Sequence, residues 1–191
     1  MKRFGVSAAI FLVLACLAAG SASGQPVPGK RFELGTAVSW YHTSQGWGGV
    51  TVDSYTNLNI PLRFGWFVWK GLELEPEVTA IIPRESGDGG VTFYCEFKIV
   101  YNFKPAGKLI PFLGGSTGWG NGLPKRGAIA GSGNATTMAD GLLAGVKYVI
   151  GKRIALRAEY RFGIYSWKDT EAMYKEGGTL HNGNVGVSLF F

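Results

Sequence analysis

Eight segments of the chain alternate between apolar residues and polar or small residues, and this two-residue period is that of a β-strand. The clearest segment is the second, in which Leu58, Ile60, Leu62 and Phe64 fall on one face. Each segment has about the 9–11 residues that a tilted strand needs to cross a bilayer. The eight predicted strands span residues 31–41, 55–66, 71–82, 91–103, 109–119, 140–150, 154–166 and 180–191.

The end of the last predicted strand is apolar on one face, where Val185, Val187, Leu189 and Phe191 lie. An aromatic residue at the chain end suits a strand whose outer face meets lipid and whose end lies at the membrane surface. This ending resembles the C-terminal signal of bacterial outer-membrane β-barrels, which the barrel assembly machinery reads. The alternative is a buried C-terminal strand in a soluble β-sandwich.

The first 24 residues have the pattern of a secretory signal peptide. A positive start at Met1-Lys2-Arg3 is followed by an apolar run over residues 4–19 and by small residues over 20–24. The run is too short for a good spanning helix, and the residues before Cys16 resemble a lipoprotein cleavage box only faintly. We expect cleavage after Gly24 or after Ala22, with residues 1–24 as the signal peptide and 25–191 as one domain.

Charge and cysteine content narrow the class of protein. Removing the signal peptide lowers the formal net charge from +6 to +4, and the positive residues form no cluster that would bind nucleic acid. Cys95 is then the only cysteine, so no intramolecular disulfide is possible. No later segment reaches 18 apolar residues, which leaves a closed barrel as the way for this chain to span a membrane.

The connections between the predicted strands alternate in length. They are short near residues 68–70, 104–108 and 151–153, and longer and more polar over 42–54, 83–90, 120–139 and 167–179. Short turns on one side and long loops on the other are typical of outer-membrane barrels, with both termini on the periplasmic side. Aromatic residues are expected in two belts, the outer one containing Trp40, Trp119, Trp167, Tyr55 and Tyr94, and the periplasmic one Trp66, Tyr101, Phe103, Tyr148 and Phe191.

The polar faces of the predicted strands carry charges of both signs. Six acids and five bases point inward: Glu33, Glu73, Glu75, Glu77, Glu96 and Glu159 against Arg63, Lys98, Lys147, Arg157 and Arg161. An eight-stranded barrel is just wide enough inside to be filled by side chains, and an unpaired buried charge is costly. We therefore expect ion pairs that plug the lumen, although neighbouring carboxylates such as Glu73 and Glu75 also fit acid–base chemistry or a metal site.

Three prolines lie within predicted strands, at Pro61, Pro76 and Pro111. Each lacks a backbone donor for the sheet, so we expect bulges or local interruptions there. The alternative is that a strand starts later than the bounds given above.

The chain resembles the small outer-membrane β-barrel domain family, the group around the opacity and OmpA-like eight-stranded barrels. The resemblance covers the mature chain and is carried by Gly71-Leu72-Glu73-Leu74-Glu75-Pro76-Glu77, Tyr101-Asn102-Phe103, Ile110-Pro111-Phe112-Leu113-Gly114, Gly145-Val146-Lys147-Tyr148, Glu159-Tyr160-Arg161-Phe162 and the terminal Phe191. It implies an eight-stranded antiparallel up-and-down transmembrane β-barrel. It identifies function poorly, because this scaffold serves adhesins, anchors, channels and enzymes.

The second half of the chain also resembles outer-membrane lipid A deacylases, which carry a His-x-Ser pair after a similar Tyr-Arg-Phe segment. Here Ser166 occupies the serine position, but Ile164 stands where the base should be. A serine hydroxyl without a neighbouring base is a weak nucleophile. His181 could supply the base only if it lies within hydrogen-bond reach of Ser166. His42 and His181, the only histidines, make a poor metal site without a cysteine pair.

The sequence therefore predicts a non-enzymatic barrel in the outer membrane of a bacterium, with a structural or surface-interaction role through outward-facing loops. Its expected partners are outer-membrane lipid, lipopolysaccharide and the barrel assembly machinery, with no nucleic acid, no cofactor, no metal and no catalytic residue. The ligand of the loops is not predicted. Two alternatives are a lipid A deacylase-like hydrolase using Ser166 and a narrow, porin-like channel.

Overall fold

The computed structural model describes residues 30–47, 50–81, 92–103, 107–120, 136–168 and 175–191. These ranges form eight antiparallel strands: β1 (Phe32–Trp47), β2 (Val50–Trp69), β3 (Leu72–Ile81), β4 (Thr92–Asn102), β5 (Leu109–Gly120), β6 (Thr136–Val149), β7 (Ile154–Lys168) and β8 (Lys175–Phe190). Each strand pairs with the next, and β8 returns to pair with β1, which closes the barrel. The predicted fold, a closed eight-stranded antiparallel barrel, is confirmed.

The two ends of the barrel differ in their connections. At one end, called here the turn side, β2 joins β3 through Lys70 and Gly71, and β6 joins β7 through residues 150–153. Gly71 has a φ of 89°, a left-handed conformation that glycine adopts without a steric cost. The opposite end is called the loop side. The described ranges contain no helix that is long and apolar enough to cross a membrane.

The predicted loop over 42–54 is wrong, because most of it is strand. β1 and β2 stay paired beyond the apolar band, with Thr43 opposite Tyr55 and Trp47 opposite Val50. The sequence of this extension has no sustained run of alternating apolar and polar residues, so hydrophobic periodicity does not mark it as strand. In the same way β7 continues to Lys168 and β8 starts at Lys175, within the predicted loop 167–179. Of the other two predicted loops, residues 82–91 and 121–135 lie outside the described residues.

Pro61 and Pro76 each interrupt one strand pairing without shifting the register beside them, whereas Pro111 stays in register opposite Val146 of β6. Between β1 and β2 the paired residues run to Thr36 with Leu62 and resume at Ser39 with Asn59, which leaves a gap beside Pro61. The β2–β3 register has a similar gap beside Pro76 and then continues in phase. Of the two expected outcomes, a bulge or a local interruption, the structure has the interruption at these two positions, where the missing proline donor leaves a local break in the ladder.

Candidate functional site: the charged lumen

All eleven charged residues assigned to the polar faces lie inside the barrel, and each is at most 4% exposed. Strict alternation produces this arrangement: on β2 the buried residues are the odd-numbered ones, and on β3 Glu73, Glu75 and Glu77 share the inner face. Among the described residues, six carboxylates and five cations therefore share the lumen, each almost fully shielded from solvent. Their pairing decides what this space can do.

Lys147 forms the ion-pair layer nearest the turn side. Its Nζ lies 2.5 Å from Glu33 Oε2 and 2.8 Å from Glu73 Oε2, so one ammonium group bridges two strands across the lumen. Neutral groups add hydrogen bonds to these carboxylates: the Ser188 hydroxyl donates to Glu33 at 2.5 Å, and the Asn102 side-chain amide donates to Glu73 Oε2 at 2.9 Å. The other oxygen of Glu73, Oε1, has no hydrogen-bond partner among the described residues.

Arg157 connects this layer to the middle of the barrel. Its guanidinium donates two hydrogen bonds to Glu75, at 2.6 and 3.0 Å, which is the bidentate geometry favoured by arginine and carboxylate. It also donates to Glu159 at 2.5 Å and lies 3.4 Å from Glu33. The guanidinium carbon is 4.4 Å from the centre of the Phe112 ring, a cation–π contact.

Lys98 is the central cation of the next layer. Its Nζ lies 2.8 Å from Glu77 and 3.0 Å from Glu159, with Glu75 at 3.8 Å. Asn184 donates a further hydrogen bond to Glu159 at 3.1 Å. Glu159 therefore accepts from cations of two layers and links them into one network.

Two arginines lie closer to the loop side. Arg161 forms an ion pair with Glu96, and its guanidinium lies 3.4 Å from the Tyr94 hydroxyl. Arg63 is less well satisfied: its nearest carboxylate oxygen, on Glu159, is 3.7 Å away. Within the described part of the chain none of its guanidinium nitrogens has a hydrogen-bond partner.

Apolar side chains lie at both ends of the charged layers. On the turn side Phe67, Ala155 and Phe190 form a buried cluster against which Val149 packs. On the loop side the buried cluster consists of Tyr94, Ala139, Tyr165 and Leu180. The lumen is therefore filled along its length by side chains, with the charged layers between two apolar clusters.

The position of Tyr94 corrects an expectation from the sequence. It was assigned to the outer aromatic belt, but it is 1% exposed and points into the lumen. Tyr94 is two residues from Glu96, so the strand period itself places both on the inner face. Tyr101, assigned to the periplasmic belt, is also buried and packs edge-to-face on Phe103 at 5.2 Å.

Glu33, Glu73 and Glu75 are the carboxylates whose spacing would suit a metal ion, since oxygens from all three lie within 4.8 Å of one another. Lys147 and Arg157 already donate to these three side chains. The cations thus occupy the positions around the carboxylates that a metal would need, and the arrangement fits ion pairing.

The structure does not bring Ser166 and His181 together. Ser166 is opposite Gly177 on β8, whereas His181 is opposite Phe162 on β7. Four residues separate the two along the strands, a distance of about 13 Å at the rise of a β-strand. His181 Nδ1 instead shares a hydrogen bond with the Tyr160 hydroxyl at 2.6 Å. Among the described residues, His181 is therefore not placed to act as the base that the deacylase resemblance requires for Ser166.

The outer wall of the barrel is apolar. Leu62, Ile164 and Val185 are 58%, 61% and 67% exposed, although they are among the most hydrophobic residues of the chain. The C-terminal positions Val185, Val187, Leu189 and Phe191 all face outward, and the Phe191 ring packs in a tilted arrangement against the Phe32 ring, with 5.8 Å between the ring centres. Trp66, Tyr148 and Phe191 are exposed at the turn side, and Trp40 and Trp119 nearer the loop side.

Comparison with solved structures identifies the type of barrel. Neisserial surface protein A is similar with a TM-score of 0.61, at 15% sequence identity over 84% of this chain and 97% of that one. The chain has the fold of that small eight-stranded outer-membrane barrel. Two further structures are less similar: Ail of Yersinia pestis, at 10% identity over 85% and 99% of the two chains with a TM-score of 0.49, and the N-terminal β-barrel domain of Pseudomonas aeruginosa OprF, at 16% over 82% and 97% with 0.47.

No protein-family model matches the chain, and no curated protein matches it. At these identities the likeness concerns the fold. The function has to be inferred from the residues of this chain.

Proposed function

We propose that this protein is a non-enzymatic, integral outer-membrane β-barrel with a closed lumen, which acts structurally or through contacts made by its outward loops. The observation that carries the proposal is the combination of an apolar outer wall with a lumen filled by paired charges. A soluble protein would expose few contiguous apolar patches of this extent, and an open pore would leave its inner charges in water.

The proposed orientation places both chain ends in the periplasm. Short connections face the periplasm in outer-membrane barrels, and the turn side carries two of them, at residues 70–71 and 150–153. On the loop side β1 ends at Trp47 and β2 begins at Val50, but both strands have by then extended past the apolar band. Residues 1–24 would direct export as a cleaved signal peptide. The outward-facing Val185, Val187, Leu189 and Phe191 would then present the assembly signal to the barrel assembly machinery, and the loop side would contact lipopolysaccharide and the surroundings of the cell.

The first test is fractionation of expressing cells, followed by gel electrophoresis of the outer-membrane material with and without boiling. We expect the protein in that fraction, with a band that shifts on boiling because a closed barrel resists detergent until it is heated. A soluble periplasmic protein without a shift would overturn the proposal, and the exposed apolar residues would then need a protein partner to cover them.

A narrow channel is the second candidate function, and the polar side chains around Arg63 favour it. Asn59 Oδ1 and Thr79 Oγ1 are buried and, like the Arg63 guanidinium, have no hydrogen-bond partner among the described residues. Such groups are satisfied by water where space allows. Planar-bilayer recordings distinguish the two functions: a closed lumen gives no conductance steps at high protein load, whereas steps that change in size in Arg63→Met would establish a channel.

A further inference from the structure

A groove of about 600 Å³ lies on the outer wall of the barrel, across β6, β7, β8 and β1. Its floor is made by small residues, Ala144, Ala158 and Gly183. In the strand register Gly183 lies between Tyr160 of β7 and Trp40 of β1. Because glycine has no side chain, there is a gap between these two large aromatic side chains. The groove is therefore a depression in the apolar surface, with Trp40 and Tyr160 as its walls.

Polar side chains lie just beyond one end of the groove. The next outward row toward the loop side contains the cross-strand pair His42 and His181, whose ring centres are 6.3 Å apart. The Tyr160 hydroxyl reaches up to His181 Nδ1 at 2.6 Å, and the His42 ring stacks beside Trp40 at 6.0 Å. Toward the turn side the same strands continue with Val38 and Val185, so that end of the groove is apolar.

The position of the histidine pair along the barrel is set by strand geometry. The aromatic residues of the turn side, Phe32 and Phe191, mark one edge of the apolar band. A tilted strand crosses the hydrocarbon layer in about 9–11 residues. Counting from Phe32 along β1 and from Phe191 back along β8 places His42 and His181 at the opposite edge, where lipid headgroups begin.

We infer that this groove binds one acyl chain of a phosphorylated lipid of the outer leaflet, with the histidine pair at its headgroup; the inference rests on the proposed outer-membrane location. The apolar floor fits a hydrocarbon chain that runs from the interface toward the membrane centre. Imidazole rings are neutral or positive, and both states donate hydrogen bonds, so the pair suits a phosphate group. In the proposed orientation the lipid at this edge is the lipid A part of lipopolysaccharide.

Native mass spectrometry of the purified barrel with added lipid A tests the inference. At a lipid-to-protein ratio at which the wild-type protein retains one lipid A molecule, the Gly183→Leu variant, whose new side chain fills the groove, should show at least tenfold less of the lipid-bound form. Gly183 has room for a side chain, since an added Cβ would meet only Trp40, at 3.6 Å. The matched control is Ala80→Leu, another small outward residue, on β3, at the level of Val38 and Ile60 but outside the groove. It should retain lipid A like the wild type.

The headgroup contact is tested separately with the double variant His42→Gln/His181→Gln. It should weaken retention of lipid A several-fold and bring it near that of a lipid with the same chains and no phosphate. Equal retention by the wild type and Gly183→Leu would overturn the inference. Each variant is first checked for the heat-modifiable band, which shows that its barrel is folded. If the folded wild type and the folded variants retain lipid A equally, the lipid-binding groove is refuted but the proposed function is not. If the wild-type protein is not found in the outer membrane, the proposed function itself is refuted.

Discussion

Replacing Arg157 by methionine tests whether the lumen is held together by ion pairs. The substitution removes both hydrogen bonds to Glu75 and the contacts to Glu159 and Glu33. Glu159 keeps Lys98 at 3.0 Å and Glu33 keeps Lys147, but the nearest cation left to Glu75 is Lys98, at 3.8 Å. Breaking a buried ion pair from one side costs about 3–5 kcal/mol. Only Glu75 loses its close cation, whereas Glu159 and Glu33 each keep one. We therefore expect the free energy of unfolding to fall by an amount near the lower end of this range, about 3 kcal/mol.

The measurement is a urea titration of the barrel folded in lipid vesicles, followed by tryptophan fluorescence and by the fraction of heat-modifiable band. The control is Arg153→Met in the exposed turn between β6 and β7, which should change the free energy of unfolding by less than about 0.5 kcal/mol. The double variant Arg157→Met/Glu75→Met removes both charges and should recover most of the loss. A single variant as stable as the control, or a double variant less stable than the single one, would refute the reasoning.

Three other substitutions test the outer wall, the chain end and the close packing of strands. Leu62→Arg, which puts a charge near the middle of the apolar band, should cost about 2–4 kcal/mol in the same urea titration, while Gly151→Arg in an open turn should cost little; similar losses would mean that Leu62 does not face lipid. Deleting Phe191 removes the carbonyl that accepts from the backbone of residues 31 and 32, and should slow the appearance of the heat-modifiable band; an unchanged rate would argue against its role in assembly. Gly186→Ala places a Cβ 2.1 Å from a backbone oxygen of β1 and should lower the free energy of unfolding by about 1–3 kcal/mol. Gly183→Ala on the same strand meets no such contact and should be tolerated. If the two variants are equally stable, β8 and β1 can move apart at Gly186 without an energetic cost.

The face on which each charged residue lies follows from the sequence, because the strand period is local. Arg63 and Glu159 are in phase with their apolar-out neighbours whatever their partners are. Strand ends are harder to predict beyond His42, where Thr43 and Ser44 carry no hydrophobic contrast although they are paired. The exception is Tyr94: its position near a strand end predicts the outer aromatic belt, but its phase with Glu96 places it in the lumen.

The pairing of the charges does not follow from the sequence. Lys147 binds Glu33, which precedes it by 114 residues, and also Glu73 on a third strand. Which side chains meet across a barrel depends on strand tilt and on the stagger between first and last strands. Tilt and stagger are properties of the closed sheet. The sequence therefore predicts which charged residues lie in the lumen but not which of them form ion pairs. The groove is equally invisible, since Ala144 and Gly183 become neighbours only through two registers.

The seam between β1 and β8 has a consequence for how the chain folds. Glu33 lies opposite Phe190, so the partners of this seam are separated by nearly the whole described chain, whereas Val149 and Ala155 meet across a single turn. By loop-closure entropy, joining ends about 157 residues apart costs about 3 kcal/mol more than joining ends about 6 residues apart. Until the seam forms, β1 and β8 both expose unpaired backbone groups, which lipid cannot satisfy. A chain that lacks its last strand therefore cannot form a stable barrel. Insertion should be a single cooperative event that is completed when β8 pairs with β1.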